Sequence, residues 1–60
     1  MNGIEIYRKK KNMTQAELAQ LMGVSQANIS QWEKGKALPQ TDKLPLLSKI
    51  LECSIDDLFE

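Results

Sequence analysis

The chain has no histidine and a single cysteine, Cys53. One thiol excludes an internal disulfide framework, and without imidazole the common zinc sites are excluded as well. No apolar run approaches the ~18 residues of a membrane span. The opening Met1-Asn2-Gly3 leads into a charged segment, not into the apolar core of a signal peptide. Aromatic residues are few, and Trp32 and Tyr7 read as core. That leaves no platform for stacking unpaired bases and argues against RNA binding. Enzymatic chemistry is disfavoured: no nucleophile and base stand at a motif spacing, and sixty residues are too few to enclose a pocket. What remains is one domain over residues 1–60, 42% apolar and so not wholly disordered. A chain of this length buries only about 60% of the surface its unfolded form exposes, so its core must be well specified. The expectation is a soluble cytoplasmic domain with no cofactor, no metal and no membrane association.

The net charge is zero, with eight basic and eight acidic side chains. This at first argues against nucleic acid, whose partners are often strongly basic. The charges are unevenly spread, however. Residues 1–36 carry Arg8, Lys9, Lys10, Lys11, Lys34 and Lys36 against Glu5, Glu17 and Glu33, a net +3. Residues 37–60 carry Lys43 and Lys49 against Asp42, Glu52, Asp56, Asp57 and Glu60, a net −3. An anionic partner should meet the first half.

Helix punctuation recurs along the chain, and no strand alternation appears. Ile4 and Tyr7 open an apolar stripe that ends in Lys9-Lys10-Lys11, suited to a helix C-terminus. Asn12 follows, a residue that tolerates the left-handed conformation. Thr14 with Glu17 forms a capping-box pattern before Leu18, Ala19, Leu21 and Met22, with Met13 placed as a staple. Gly23 stops that helix. Ser25 caps the next, which carries Ile29 and Trp32 and ends at Gly35. Pro39 lies in a loop. A fourth helix with Leu44, Leu47 and Leu51 starts between Thr41 and Pro45, since Pro45 is tolerated only in the first turn. Ser54 with Asp57 opens a short last helix holding Ile55, Leu58 and Phe59. The fold class is all-α, a compact bundle of five helices.

Residues 15–35 carry the most information. Two helices joined by a tight turn containing glycine make a helix-turn-helix unit. Ala19 is small enough for the second helix to cross closely, Gly23 can adopt positive φ in the turn, and Val24 and Ile29 face inward. On a helical wheel at about 100° per residue, Gln26, Ala27, Ser30, Gln31 and Lys34 fall on one side, within about 140°. Asn28, Ile29, Trp32 and Glu33 fall on the other. The first face suits the major groove, where Gln bonds adenine N6 and N7 and the Ala27 methyl meets the thymine methyl. A recognition helix enters N-terminus first, so Gln26 and Ala27 lead, with Gln31 and Ser30 one turn on. A·T pairs should matter in the half-site. Phosphate contacts are expected from the Thr14-Gln15 helix start, Gln20, Ser25, Asn28, Lys34 and Lys36. The Lys9–Lys11 run adds a general field at most and otherwise reads as a solvated helix end.

The chain resembles the lambdoid-phage repressor/Cro (XRE-type) helix-turn-helix family. The residues that carry the likeness are Arg8, Met13-Thr14-Gln15, Leu18-Ala19, Gly23-Val24-Ser25, Ile29-Ser30, Trp32-Glu33-x-Gly35, Pro39, Leu47, Leu51 and Ser54-Ile55-x-Asp57-Leu58. Asn12 and Glu52 stand where the family usually has Gly, and Pro45 is uncommon in it. The resemblance implies that Gln15 braces Gln26 and touches a phosphate. It also implies that Arg8 and Glu33 pair structurally, tying the first helix to the end of the recognition helix.

Leu46 and Ile50 form a second apolar pair on the fourth helix beyond Leu44, Leu47 and Leu51. A homodimer interface is expected there, with Ile55, Leu58 or Phe59 contributing. Cys53 occupies an apolar position and reads as a small core residue. The function expected is a sequence-specific DNA-binding transcriptional regulator, most simply a repressor on an inverted-repeat operator. The alternative, suited to the acidic second half, is an interaction module with a protein ligand, antitoxin- or antirepressor-like.

Overall fold

The computed structural model describes all sixty residues, Met1 to Glu60. Helix α1 runs Asn2–Lys10, α2 Gln15–Met22, α3 Gln26–Lys34, α4 Leu44–Leu51 and α5 Ile55–Leu58. A single 3-10 turn at Thr41–Lys43 leads into α4 and resolves where that helix starts. Pro45 falls in the first turn of α4, where its missing N–H removes no intrahelical bond.

The local chemistry accounts for the boundaries. Thr14 Oγ1 accepts from the Glu17 amide at 3.0 Å while Glu17 Oε1 accepts from the Thr14 amide at 2.8 Å, a complete capping box. Ser54 and Asp57 repeat it at 3.1 Å in both directions. Ser25 Oγ caps α3 through the Asn28 amide at 3.1 Å. Gly23 and Gly35 close α2 and α3 in the left-handed region, at φ 70° and 76°. Asn12 and Glu52 adopt the same region at φ 57° and 55° without being glycine.

The five helices bury Ile4, Leu18, Ala19, Met22, Ile29, Trp32, Leu47, Leu51 and Leu58 in one core. Cys53 packs half-buried at its edge. Gly3 brings α1 against the backbone of α5: a Cβ there would lie 2.0 Å from the Asp57 carbonyl oxygen and 2.8 Å from Leu58 Cα. The Gly3 amide also donates to the Glu60 carbonyl at 3.0 Å. Leu58 is therefore 0% exposed, sealed between α1 and α4, which removes it from the expected dimer surface. Ile50 is half-buried and packs against the core, so it too offers only part of its side chain. Leu46, Ile55 and Phe59 are exposed.

Candidate nucleic-acid interface

The back of α3 is anchored more firmly than any other surface of that helix. Ile29 and Trp32 are buried in the core. Arg8 reaches across from α1: its Nε donates to Glu33 Oε2 at 2.6 Å and its Nη2 to Glu33 Oε1 at 3.2 Å. Both side chains are nearly sealed from solvent, at 9% and 4% exposure. Arg8 Nη1 also donates to the Met13 carbonyl at 2.8 Å, fixing the segment just before α2. No buried side-chain nitrogen or oxygen is left without a partner. A desolvated ion pair is weak evidence for stability but strong evidence for geometry, since breaking one side strands the other. Here it holds α1, the entry to α2 and the last turn of α3 in one arrangement.

With its back fixed, α3 turns Gln26, Ala27, Gln31 and Lys34 to solvent, and Lys36 follows just beyond Gly35. Ser30 is half-buried and reaches the surface less fully. Asn28 departs from the helical wheel. The wheel sets it on the packed side, yet it is exposed, because the first turn of α3 overhangs an open cleft instead of core. That cleft, about 260 Å³, is lined by Val24, Asn28, Trp32, Ala37, Leu38, Gln40 and Lys43. Gln40 and Lys43 border α3, and no motif in the sequence points to them. Lys43 lies in the net-acidic half, and only the folding back of residues 36–43 brings it beside Asn28.

At the start of α2, Thr14 is exposed and Gln15 half-buried, and Gln20 is exposed toward the end of the helix. The capping box occupies the amides of Thr14 and Glu17. The amides of Gln15 and Ala16, in the first turn, have no intrahelical acceptor and remain available to an anion. Ser25 uses its hydroxyl as a cap. Gln15 differs from what the resemblance implies: its Nε2 donates to Glu33 Oε1 at 2.9 Å, so its amide is held by the buried carboxylate and not by Gln26. The difference arises because Glu33 turns one oxygen toward α2 while Arg8 bonds the other most closely.

The lysines closing α1 all have internal partners. Lys9 pairs with Glu5 at 3.2 Å, Lys10 lies 4.7 Å over the Tyr7 ring and Lys11 pairs with Glu52. Lys34 and Lys36 have no such pairing and are the freer cations beside α3. The Cys53 thiol is pushed up by burial and, secondarily, by Asp57. That direction lowers its thiolate fraction, which disfavours a nucleophilic role. No group of three or more histidine, cysteine or acidic side chains gathers to hold a metal ion. No helix is long and apolar enough to cross a membrane.

Two helices crossing at a glycine turn, the second presenting a polar face from a buried back, constitute a helix-turn-helix. Residues 4–58 match the family model described as helix-turn-helix. The chain is 44% identical over 57 residues to repressor protein C2 of Salmonella phage P22, which covers 95% of this chain and 26% of that protein. It is 43% identical over 52 residues to the HTH-type transcriptional activator BcrR of Enterococcus faecalis, covering 87% and 26% respectively. An uncharacterized HTH-type transcriptional regulator of Archaeoglobus fulgidus is 38% identical over 56 residues, covering 93% of this chain and 79% of that one. The chain thus spans only 26% of the repressor and of the activator. No solved structure gives a significant match. The chain belongs to the repressor/Cro (XRE) type of helix-turn-helix family.

Proposed function

We propose that this chain binds double-stranded DNA sequence-specifically and regulates transcription, most simply as a repressor. Its operator would be an inverted repeat met by a homodimer, with half-sites one helical turn apart. The observation that carries this reading is the contrast between the two faces of α3: Arg8, Glu33, Ile29 and Trp32 lock one, and the other offers Gln26, Ala27 and Gln31 to solvent.

Gln26 and Gln31 read base edges, Gln26 bidentately to adenine, and Ala27 meets a thymine methyl. Ser30, half-buried, plays a smaller part. Thr14, Gln15, Gln20, Ser25, Asn28, Lys34 and Lys36 meet the backbone, the two lysines and the α2 start contributing most of the affinity. The repressor and activator names of the relatives support the regulatory role. Occupying the operator would exclude polymerase. The dimer would form through Leu46, Ile55 and Phe59, with the partly covered Ile50 at its edge.

Selection from random duplexes followed by titration over salt tests the reading. Enrichment of symmetric sites, with log K falling linearly in log[salt], is the expected result. Failure to enrich any duplex, with no salt-dependent binding, would overturn it in favour of a protein ligand.

A further inference from the structure

We infer that Glu33, which cannot itself face DNA, positions the DNA-contacting amide of Gln15. The inference rests on the backbone role proposed above for Gln15. Donors from α1 and α2 converge on one carboxylate of α3. Arg8 Nε holds Glu33 Oε2 at 2.6 Å, and Glu33 Oε1 accepts from Gln15 Nε2 at 2.9 Å. A carboxylate only accepts, so it dictates which end of the Gln15 amide turns inward. The amino group of Gln15 is held at the Arg8–Glu33 pair, leaving one N–H and the carbonyl oxygen unclaimed. Gln15 is the first residue of α2, beside the unpaired Ala16 amide. One donor of fixed direction is therefore added to the helix start, and its place is set from the buried side of α3. The two helices of the motif are thereby registered to each other by a side chain as well as by the turn. A phosphate would meet Gln15 already ordered, with less freedom to lose on binding.

A carboxamide at position 33 cannot do the same. Its one oxygen can stand at the Oε2 position or the Oε1 position but not both; Arg8 Nε holds Oε2 most closely, at 2.6 Å, while Oε1 serves Arg8 Nη2 and Gln15 Nε2 together. The charged guanidinium takes that oxygen, which turns the new NH2 toward the NH2 of Gln15 and releases it.

The test uses the selected duplex with single methylphosphonate substitutions, which neutralise one phosphate at a time. Wild type should lose about tenfold in affinity when the phosphate bonded by Gln15 is neutralised. Gln15→Ala identifies that phosphate as the one where its sensitivity falls most below wild type, the backbone amides of Gln15 and Ala16 keeping the remainder. Glu33→Gln should show the same fall at the same phosphate, to within about twofold of Gln15→Ala, while keeping its sensitivity elsewhere. Glu33→Gln also disturbs a buried pair, so Arg8→Met/Glu33→Leu serves beside it. Apolar replacement of a whole buried pair often preserves the fold, and it removes the anchor of Gln15 equally. A merely structural role would lower affinity without changing which phosphates matter. Wild-type sensitivity retained at the Gln15 phosphate in the folded variants, or sensitivity lost equally everywhere, would overturn the inference. Gln15→Ala with an unchanged phosphate profile would overturn it too, through the role of Gln15 itself. Salt-dependent, sequence-specific binding would in that case still stand.

Discussion

Gly3 has no room for a side chain. A methyl group there meets the Asp57 carbonyl oxygen at 2.0 Å, and backbone cannot swing aside as a flexible side chain can. Gly3→Ala should therefore force α1 off α5 and destabilise the fold by about 1–3 kcal/mol, read as a lower urea midpoint with little change in slope. Glu52 presents the opposite case. It holds φ 55°, a left-handed conformation that costs an L-residue roughly 1–2 kcal/mol. Its exposed pair with Lys11 offsets little of this. Glu52→Gly should stabilise the domain by about 0.5 kcal/mol after the added flexibility of the unfolded chain is counted, visible as a higher Tm. From the sequence, Asn12 is legible as a left-handed helix end and Glu52 only as a departure from a glycine pattern. Both residues hold the left-handed backbone conformation that glycine adopts without strain.

Between elements, the caps were legible because a capping box is local. Thr14, Glu17, Ser54 and Asp57 each find their partner three residues away. Thr14→Ala should lose about 1 kcal/mol, measurable by denaturant unfolding, with no change in which helices form. The partner of Gln15 was not legible in the same way. Glu33 is eighteen residues distant, and only the crossing of α2 and α3 decides whether Gln15 turns to it or to Gln26. The face of Leu58 was also beyond the sequence. Helix α5 is a single turn of four residues, too short for periodicity to distinguish inside from outside, and the close approach at Gly3 decided the matter. The start of α4 stayed open for a related reason. Pro45 bounds a helix start to within a turn, and a 3-10 turn filled that interval.

At the scale of the whole molecule, the zero net charge is the sum of two unlike halves. Lys34 and Lys36 lie beside the exposed polar face of α3, while Asp56 and Asp57 lie on α5. Non-specific DNA binding should accordingly be weaker than for a uniformly basic domain. Leu46 at 42% and Phe59 at 57% are among the six large hydrophobic side chains that stay exposed outside the single core. Sedimentation of wild type against Leu46→Lys/Phe59→Lys should show dimer giving way to monomer; a monomer in both would rule out the homodimer interface.

The pH response belongs to the same scale. The Cys53 thiol is raised by burial and then by Asp57, so the folded state keeps its proton longer than the unfolded chain does. Stability from this group is complete below the ordinary thiol value of 9.0 and is lost as pH rises above it. Unfolding curves across that range should steepen their decline in wild type and flatten at its lower end in Cys53→Ala.

The most direct measurement is the discrimination of Gln26→Ala between the selected operator and one with the adenine read by Gln26 replaced. Wild type should favour the selected operator by about 1–3 kcal/mol at that base pair. In Gln26→Ala that preference should collapse while the slope of log K against log[salt] is retained, since glutamine neutralises no phosphate charge. A variant that keeps the full wild-type preference at that pair would contradict the assignment of α3 as the reading helix led by Gln26.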